Sequence, residues 1–279
     1  MFNPQMINTR IVPLLFAAAL FTACPAAEGV PGTQGNPGNS GGNVEAGAGK
    51  NTISGQALDV RGKPIAGALI WVYPAVTGGL VTAHTDVQGR YLVKSLPDRP
   101  YKVYAWAQPE VSGKRHCLRL GHDAISDYDP VYPRDGAVRN FRWKLEGVIP
   151  DRGNDTFFGG QIRLMPVFRK DSDWMNNKDL KVEVTFVPNG PLADGSSGKT
   201  ITRVLDWDNN HFVENIPVGT YTVTASQTTP SGVPSTLEVG PKDSSLGAQS
   251  DPGFAPGSSS CGGDFGNGTT RTFLYVGQP

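Results

Sequence analysis

The chain has no surplus of either charge: 25 Lys and Arg stand against 25 Asp and Glu, with no basic block or stripe. A nucleic-acid partner, whose phosphate backbone calls for clustered Lys and Arg, does not fit that balance. Histidine is scarce as well, four in 279 residues at positions 84, 116, 122 and 211. One His-x-x-Glu occurs, His211 to Glu214; a zinc carboxypeptidase needs such a run together with a distant His, and no motif joins one to it. Also missing are a Gly-x-Ser-x-Gly elbow, a phosphate-binding Walker loop and a dinucleotide fingerprint in a strand-to-helix setting, so no cofactor and no catalytic residue is nominated. Paired carboxylates for glycoside hydrolysis leave no local motif; nothing singles out a pair, and a hydrolase stays the remote alternative. No stretch has the pattern of a long amphipathic helix.

Long apolar runs are lacking too. The longest early one, residues 11–21 behind Arg10, falls short of the roughly 20 residues that span a bilayer as a helix, and has the form of a signal-peptide core. Leu20, Phe21, Thr22 and Ala23 then lead into Cys24. This run resembles a bacterial lipobox, in which the cysteine sulfur takes a diacylglycerol and becomes the first residue of the mature chain. Phe21 stands where that family usually has Leu. The alternative is an ordinary signal peptide cut near Ala23 or Ala27. The lipobox reading implies a lipid-anchored envelope protein on the outer membrane or the cytoplasmic membrane surface, its membrane contact made through the lipid on Cys24. Each buried methylene adds about 0.8 kcal/mol, so several acyl chains make such an anchor stable.

Residues 24–50 are dominated by Gly, Pro, Ala, Asn and Ser. They carry too little apolar surface to offset the entropy of ordering and constitute a tether. Beyond it, short runs of β-branched and aromatic residues alternate with Gly, Pro, Asn and Asp, the pattern of an all-β sandwich. Length allows two domains, 51–150 and 151–279, with a soft boundary at 147–160.

Residues 52–59 and 65–72 read as strands around the turn Arg61-Gly62-Lys63-Pro64. Residues 85–93 place a Gly turn before a further strand, and Leu96-Pro97 leads into residues 101–107. Ile53 with Gly55, Gly62 through Ala68, Thr85 through Tyr91 and Leu96 through Val103 together resemble the carboxypeptidase regulatory-like domain. That resemblance implies a transthyretin-like β-sandwich, a fold that specifies function poorly. It also implies kinship with accessory modules of envelope proteins, some with carbohydrate-binding relatives. The closing hairpin recurs: Leu96-Pro97, Tyr101, Val103 and Ala105 return as Ile216-Pro217, Tyr221, Val223 and Ala225. The second half is therefore expected to be another, Ig-like or transthyretin-like, sandwich. Its first strand is expected at 180–187 and others at 200–207 and 270–276, with long loops across 230–267. Residues 138–145 are assigned as one strand of the first domain, and 161–165 read as another strand near the join.

Once Cys24 carries lipid, Cys117 and Cys261 are the remaining pair. An exported chain lives where disulfides persist, which makes a bridge stapling the two modules the expected outcome. His116, Cys117, His122 and Asp123 offer a weak metal-ligand spacing, against solvated loop histidines as the alternative. Asp123, Asp127, Asp129 and Asp135 do not have EF-hand spacing and are expected to be turn residues. Among the aromatics, Trp71, Trp106 and Trp143 lie in strands and are expected in the core. Tyr128, Tyr132 and Trp174 lie in predicted loops, where recognition residues gather, and are the candidate ligand contacts. The expected function is a non-catalytic lipoprotein that binds envelope or extracellular polysaccharide; the alternative is a structural or assembly lipoprotein that binds another envelope protein.

Overall fold

The computed structural model describes residues 49–167, 180–207, 211–228, 231–257, 260–262 and 266–279. The described chain belongs to one compact unit and is all-β, with a single-turn 3-10 helix, Ile125–Tyr128, as its one helix among the described residues.

The first sandwich contains β1 (Ile53–Leu58), β2 (Leu69–Pro74), β3 (Val81–His84), β4 (Arg90–Val93), β5 (Tyr101–Ala107), β6 (Glu110–Val111), β7 (Lys114–Arg115), β8 (Leu118–Arg119), β9 (Gly121–His122), β10 (Ala137–Val138) and β11 (Phe141–Arg142). One sheet runs β3-β2-β5-β8. In the other, β1 pairs with β4 on one side and with β10 and β11 on its other, and β11 pairs with β9. Ile53, Ile70, Val72, Val103 and Phe141 fill the space between the sheets. Each such fully buried side chain contributes about 1.5–3 kcal/mol through apolar area removed from water.

Local chemistry fixes the turns. Asp59 Oδ1 accepts the amides of Arg61 (2.9 Å) and Lys63 (2.8 Å), and Asp86 Oδ1 accepts those of Gln88 and Arg90. In both turns a short carboxylate stands in for a backbone acceptor. The strand expected over 138–145 is split into β10 and β11, both parallel to β1. Between them the Asn140 side-chain oxygen takes the Gln56 amide at 3.0 Å, replacing a ladder bond with a side-chain one.

The second sandwich contains β12 (Gly160–Pro166), β13 (Lys181–Pro188), β14 (Ile201–Asp206), β15 (Phe212–Ile216), β16 (Tyr221–Thr228), β17 (Pro234–Gly240) and β18 (Thr272–Gly277), in the order β14-β13-β16-β17-β18-β12-β15. Its first strand is thus β12, not the segment at 180–187, because β12 lies between β18 and β15 and cannot belong to the first module. β17 turns the corner between layers: Pro234 to Leu237 pair with β16, and Glu238 to Gly240 pair with β18. Val182, Val184 and Phe186 alternate inward from β13 to meet Val223, Val239, Leu274 and Val276.

The repeated hairpin has two hydrogen-bond solutions. Tyr221 donates its hydroxyl to the Pro217 carbonyl at 2.7 Å, a tyrosine corner. In the first module the Tyr101 hydroxyl instead accepts from Arg99 Nε at 3.1 Å.

Candidate ligand-binding face

In β2 and β5 every second residue faces away from the core. Ile70, Val72, Val103 and Ala105 point inward, which places Trp71, Tyr73, Tyr104 and Trp106 together on the outer face. The register sets Trp71 opposite Tyr104 and Leu69 opposite Trp106. Trp71 meets Trp106 edge-on with ring centroids 5.0 Å apart, and Tyr104 lies 6.1 Å from Trp106. Exposure grades along the strip: Trp106 is 1% exposed, Trp71 and Tyr104 are half-buried, and Tyr73 is 40% exposed.

The polar border is built by β8 and the segment after β11. The Arg119 guanidinium lies 5.0 Å from the Tyr104 ring centre and donates to both Asp151 oxygens, at 2.8 and 2.9 Å, with its own side chain 1% exposed. Burial pushes the Tyr104 hydroxyl's pKa up, and the Asp151 carboxylate adds to the effect. Exposed Arg152 also acts on that hydroxyl. Aromatic rings that are apolar on their faces, next to fixed donors and acceptors, suit a ligand with both apolar and hydroxyl-rich surfaces.

A loop of the second sandwich closes one end of this face. Cys261 is bonded to Cys117, with Cα atoms 5.1 Å apart and 144 positions between them in the chain, a separation that suits a disulfide. Next to it the backbone passes so closely that a β-carbon on Gly262 would overlap the Trp71 ring, and one on Gly268 the Cys117 carbonyl. Both glycines also have positive φ, so side chains there are disfavoured twice over. The Arg119 amide donates to the Asn267 carbonyl at 3.2 Å, continuing the contact. Elsewhere the Gly147 amide donates to Asn215 Oδ1 (2.8 Å) and Arg61 to the Asp194 carbonyl (3.3 Å).

The candidate residues expected from loop position fare differently. Tyr132 is 49% exposed, with the Arg134 guanidinium 4.9 Å from its ring centre. Tyr128 is a correction: it is 8% exposed, because the 3-10 turn tucks it over His122, whose amide donates to its hydroxyl at 3.1 Å. Its ring meets the His122 ring edge-on at 4.7 Å. Tyr128 and Tyr132 therefore do not form one surface. Trp174 and Cys24 lie outside the described residues. Trp143 packs in the core as expected, whereas Trp71 and Trp106 lie on the outer face, Trp71 half-buried and Trp106 1% exposed.

His116 and His122 are not solvated loop residues; they are 0% and 2% exposed. His122 donates from Nε2 to the Val103 carbonyl at 3.0 Å, and burial lowers its pKa to about 4. Cys117, held in the disulfide, has no thiolate to offer a metal. Asp123 pairs with Arg142 (3.0 Å) and Asp127 with Arg139 (3.4 Å). Among the described residues no three His, Cys, Asp or Glu are grouped to hold a metal ion.

Fold and face together describe a tandem β-sandwich chain with an aromatic outer strip on its first module. Residues 52–121 match the family model of the carboxypeptidase regulatory-like domain. The match stops at the start of β9, so β10 and β11, which complete the first sandwich beside β1, lie beyond it. A comparison with curated proteins finds no match. Among solved structures, the Bacillus anthracis TIE protein aligns over 82% of this chain and 34% of its own, at 12% identity and a TM-score of 0.33. A streptococcal ancillary pilin aligns over 68% and 59%, at 14% identity and a TM-score of 0.24. A minor pilin of Streptococcus agalactiae aligns over 82% and 96%, at 13% identity and a TM-score of 0.26. The chain thus spans less than two thirds of the length of the first two.

Proposed function

We propose that the chain is a non-catalytic, exported envelope lipoprotein, anchored through Cys24, whose paired sandwiches bind envelope or extracellular polysaccharide through the Trp71, Tyr73 and Tyr104 strip. The observation that carries this reading is the outward placement of those rings, with Tyr73 40% exposed, beside the Arg119–Asp151 pair. Sugar rings present apolar faces that stack on such side chains. The Cys117–Cys261 bridge supports export, since disulfides persist in oxidising compartments and are rare in the cytosol. Screening the purified chain against an array of cell-wall and extracellular glycans tests the reading; a set of binders sharing one repeat unit supports it, and an empty array removes it.

One observation favours a second reading. The bridge, the Arg119 amide's bond to the Asn267 carbonyl and the loop laid on Trp71 all fasten the modules together, as a structural protein that contacts another envelope protein would require. Crosslinking in intact cells that returns one protein partner, alongside an empty glycan array, would select it.

A further inference from the structure

A groove of about 750 Å³ opens between the two sandwiches, walled by the chain from Arg142 to Glu146 and by the approach to and start of β14. It lies beside β11, which belongs to the other sheet of the first module from the one that bears the aromatic strip. Its volume is within the range of sites that enclose small ligands, roughly 300–1,000 Å³.

The charge of this groove departs from that of the chain. Arg142, Lys144, Lys199 and Arg203 line it against one carboxylate, Glu146, whereas basic and acidic residues balance at 25 each overall. Asp123 neutralises Arg142 at 3.0 Å. Lys144, Lys199 and Arg203 make no ion pair among the described residues. Lys144 is also held in place: its ammonium lies 5.8 Å from the Phe158 ring centre, and its stem occupies the space beside Gly121 where a β-carbon would be. Burial lowers its pKa, the sign of a cation partly stripped of water. Arg203 shares its strand face with the inward-pointing Ile201 and Leu205, opposite buried Val184, yet is exposed itself because the groove opens beside it.

The rest of the polar lining is hydroxyl: Ser197 and Thr200, with Ser196 already donating to Asp194, Thr202 to or from Thr185, and Tyr221 to the Pro217 carbonyl. Three cations that make no ion pair among the described residues, against the single carboxylate of Glu146, suit spaced single negative charges on a hydroxyl-rich chain. The continuous charge of a nucleic acid calls for a basic stripe instead.

We infer that this groove is a second binding site, taking a segment of acidic polysaccharide whose uronate carboxylates meet Lys144, Lys199 and Arg203 and whose hydroxyls meet Ser197 and Thr200. It is separate from the aromatic strip and does not depend on it.

The test is fluorescence anisotropy of the full chain with labelled oligogalacturonate, a neutral cello-oligosaccharide of equal length and a single-stranded DNA of equal charge. The acidic oligosaccharide binds, its affinity falls with added salt, and the exposed-residue variant Lys199→Gln/Arg203→Gln weakens it by at least about tenfold, as the loss of charge-assisted hydrogen bonds implies. Glu110→Gln, an exposed change outside both the groove and the strip, leaves this binding unchanged. Lys199→Gln alone, checked by circular dichroism for an unaltered melt, gives a smaller loss in the same direction. Equal binding of the neutral oligosaccharide, equal or tighter binding of the DNA, or affinity unchanged in the double variant overturns the assignment.

Discussion

Trp71 on β2 stands directly opposite Tyr104 on β5, and both rings turn away from the core that Ile70 and Val103 fill. Large aromatics on an outer sheet face need a reason, since exposed apolar surface is costly unless something covers it. The second module covers the Trp71 end through Gly262, and Tyr73 stays open. How firmly that cover is held determines the behaviour of the face.

The disulfide is one hold. It closes a loop of 144 positions, long enough that chain entropy alone gives about 5 kcal/mol in the loop-closure model, while measured losses on removing native bridges run at about 2–5 kcal/mol. Cys117→Ser/Cys261→Ser is expected to fall in that measured range by urea denaturation. Dithiothreitol is expected to shift the wild-type midpoint likewise and leave the variant untouched.

Arg119 and Asp151 form a buried pair at the border of the face. Asp151→Ala leaves a guanidinium that is 1% exposed without its carboxylate, and removing one partner of a buried pair costs about 3–5 kcal/mol. Arg119→Met/Asp151→Leu, which removes both charges, is expected to recover most of that loss. A thermal melt series over the three variants checks the order.

Stability is expected to fall in acid through His122. Its folded pKa is near 4 because burial opposes the charged ring, against 6.5 unfolded. Between these values the unfolded chain binds more protons, so the contribution is fully present above about pH 6.5 and is lost as pH falls toward 4. The loss amounts to about 3 kcal/mol. In His122→Gln the slope of unfolding free energy over that window is expected to flatten.

Cys24 tests the anchor. Cys24→Ala is expected to move the protein out of the membrane fraction and to abolish incorporation of labelled palmitate. A wild-type chain that takes no label and stays out of the membrane fraction would point to cleavage near Ala23 or Ala27 instead; a variant that stays in membranes would contradict the lipid anchor.

The sandwiches were legible because their strands alternate and their turns carry side chains that close them, as Asp59 and Asp86 do. The cysteine pairing followed from parity and compartment. The outer strip was not legible, because β2 and β5 are apolar on both faces: Ile70 and Trp71 both look like core, and only the pairing of sheets reveals which side is inward. Tyr128 was misplaced for the converse reason. A loop full of Asp and Pro suggests exposure, yet one 3-10 turn buries its ring over His122. The groove cations are spread over residues 142–203 and form no run, so the topology alone gathers them.

The most direct test of the central claim is co-sedimentation of the full chain with insoluble cell-wall and extracellular polysaccharides, beside the Tyr73→Ala/Tyr104→Ala variant. The account predicts that the wild type pellets with at least one glycan and that the variant, with an unchanged melt, stays in the supernatant. A wild type that pellets with none, or a variant that pellets equally well, would contradict it.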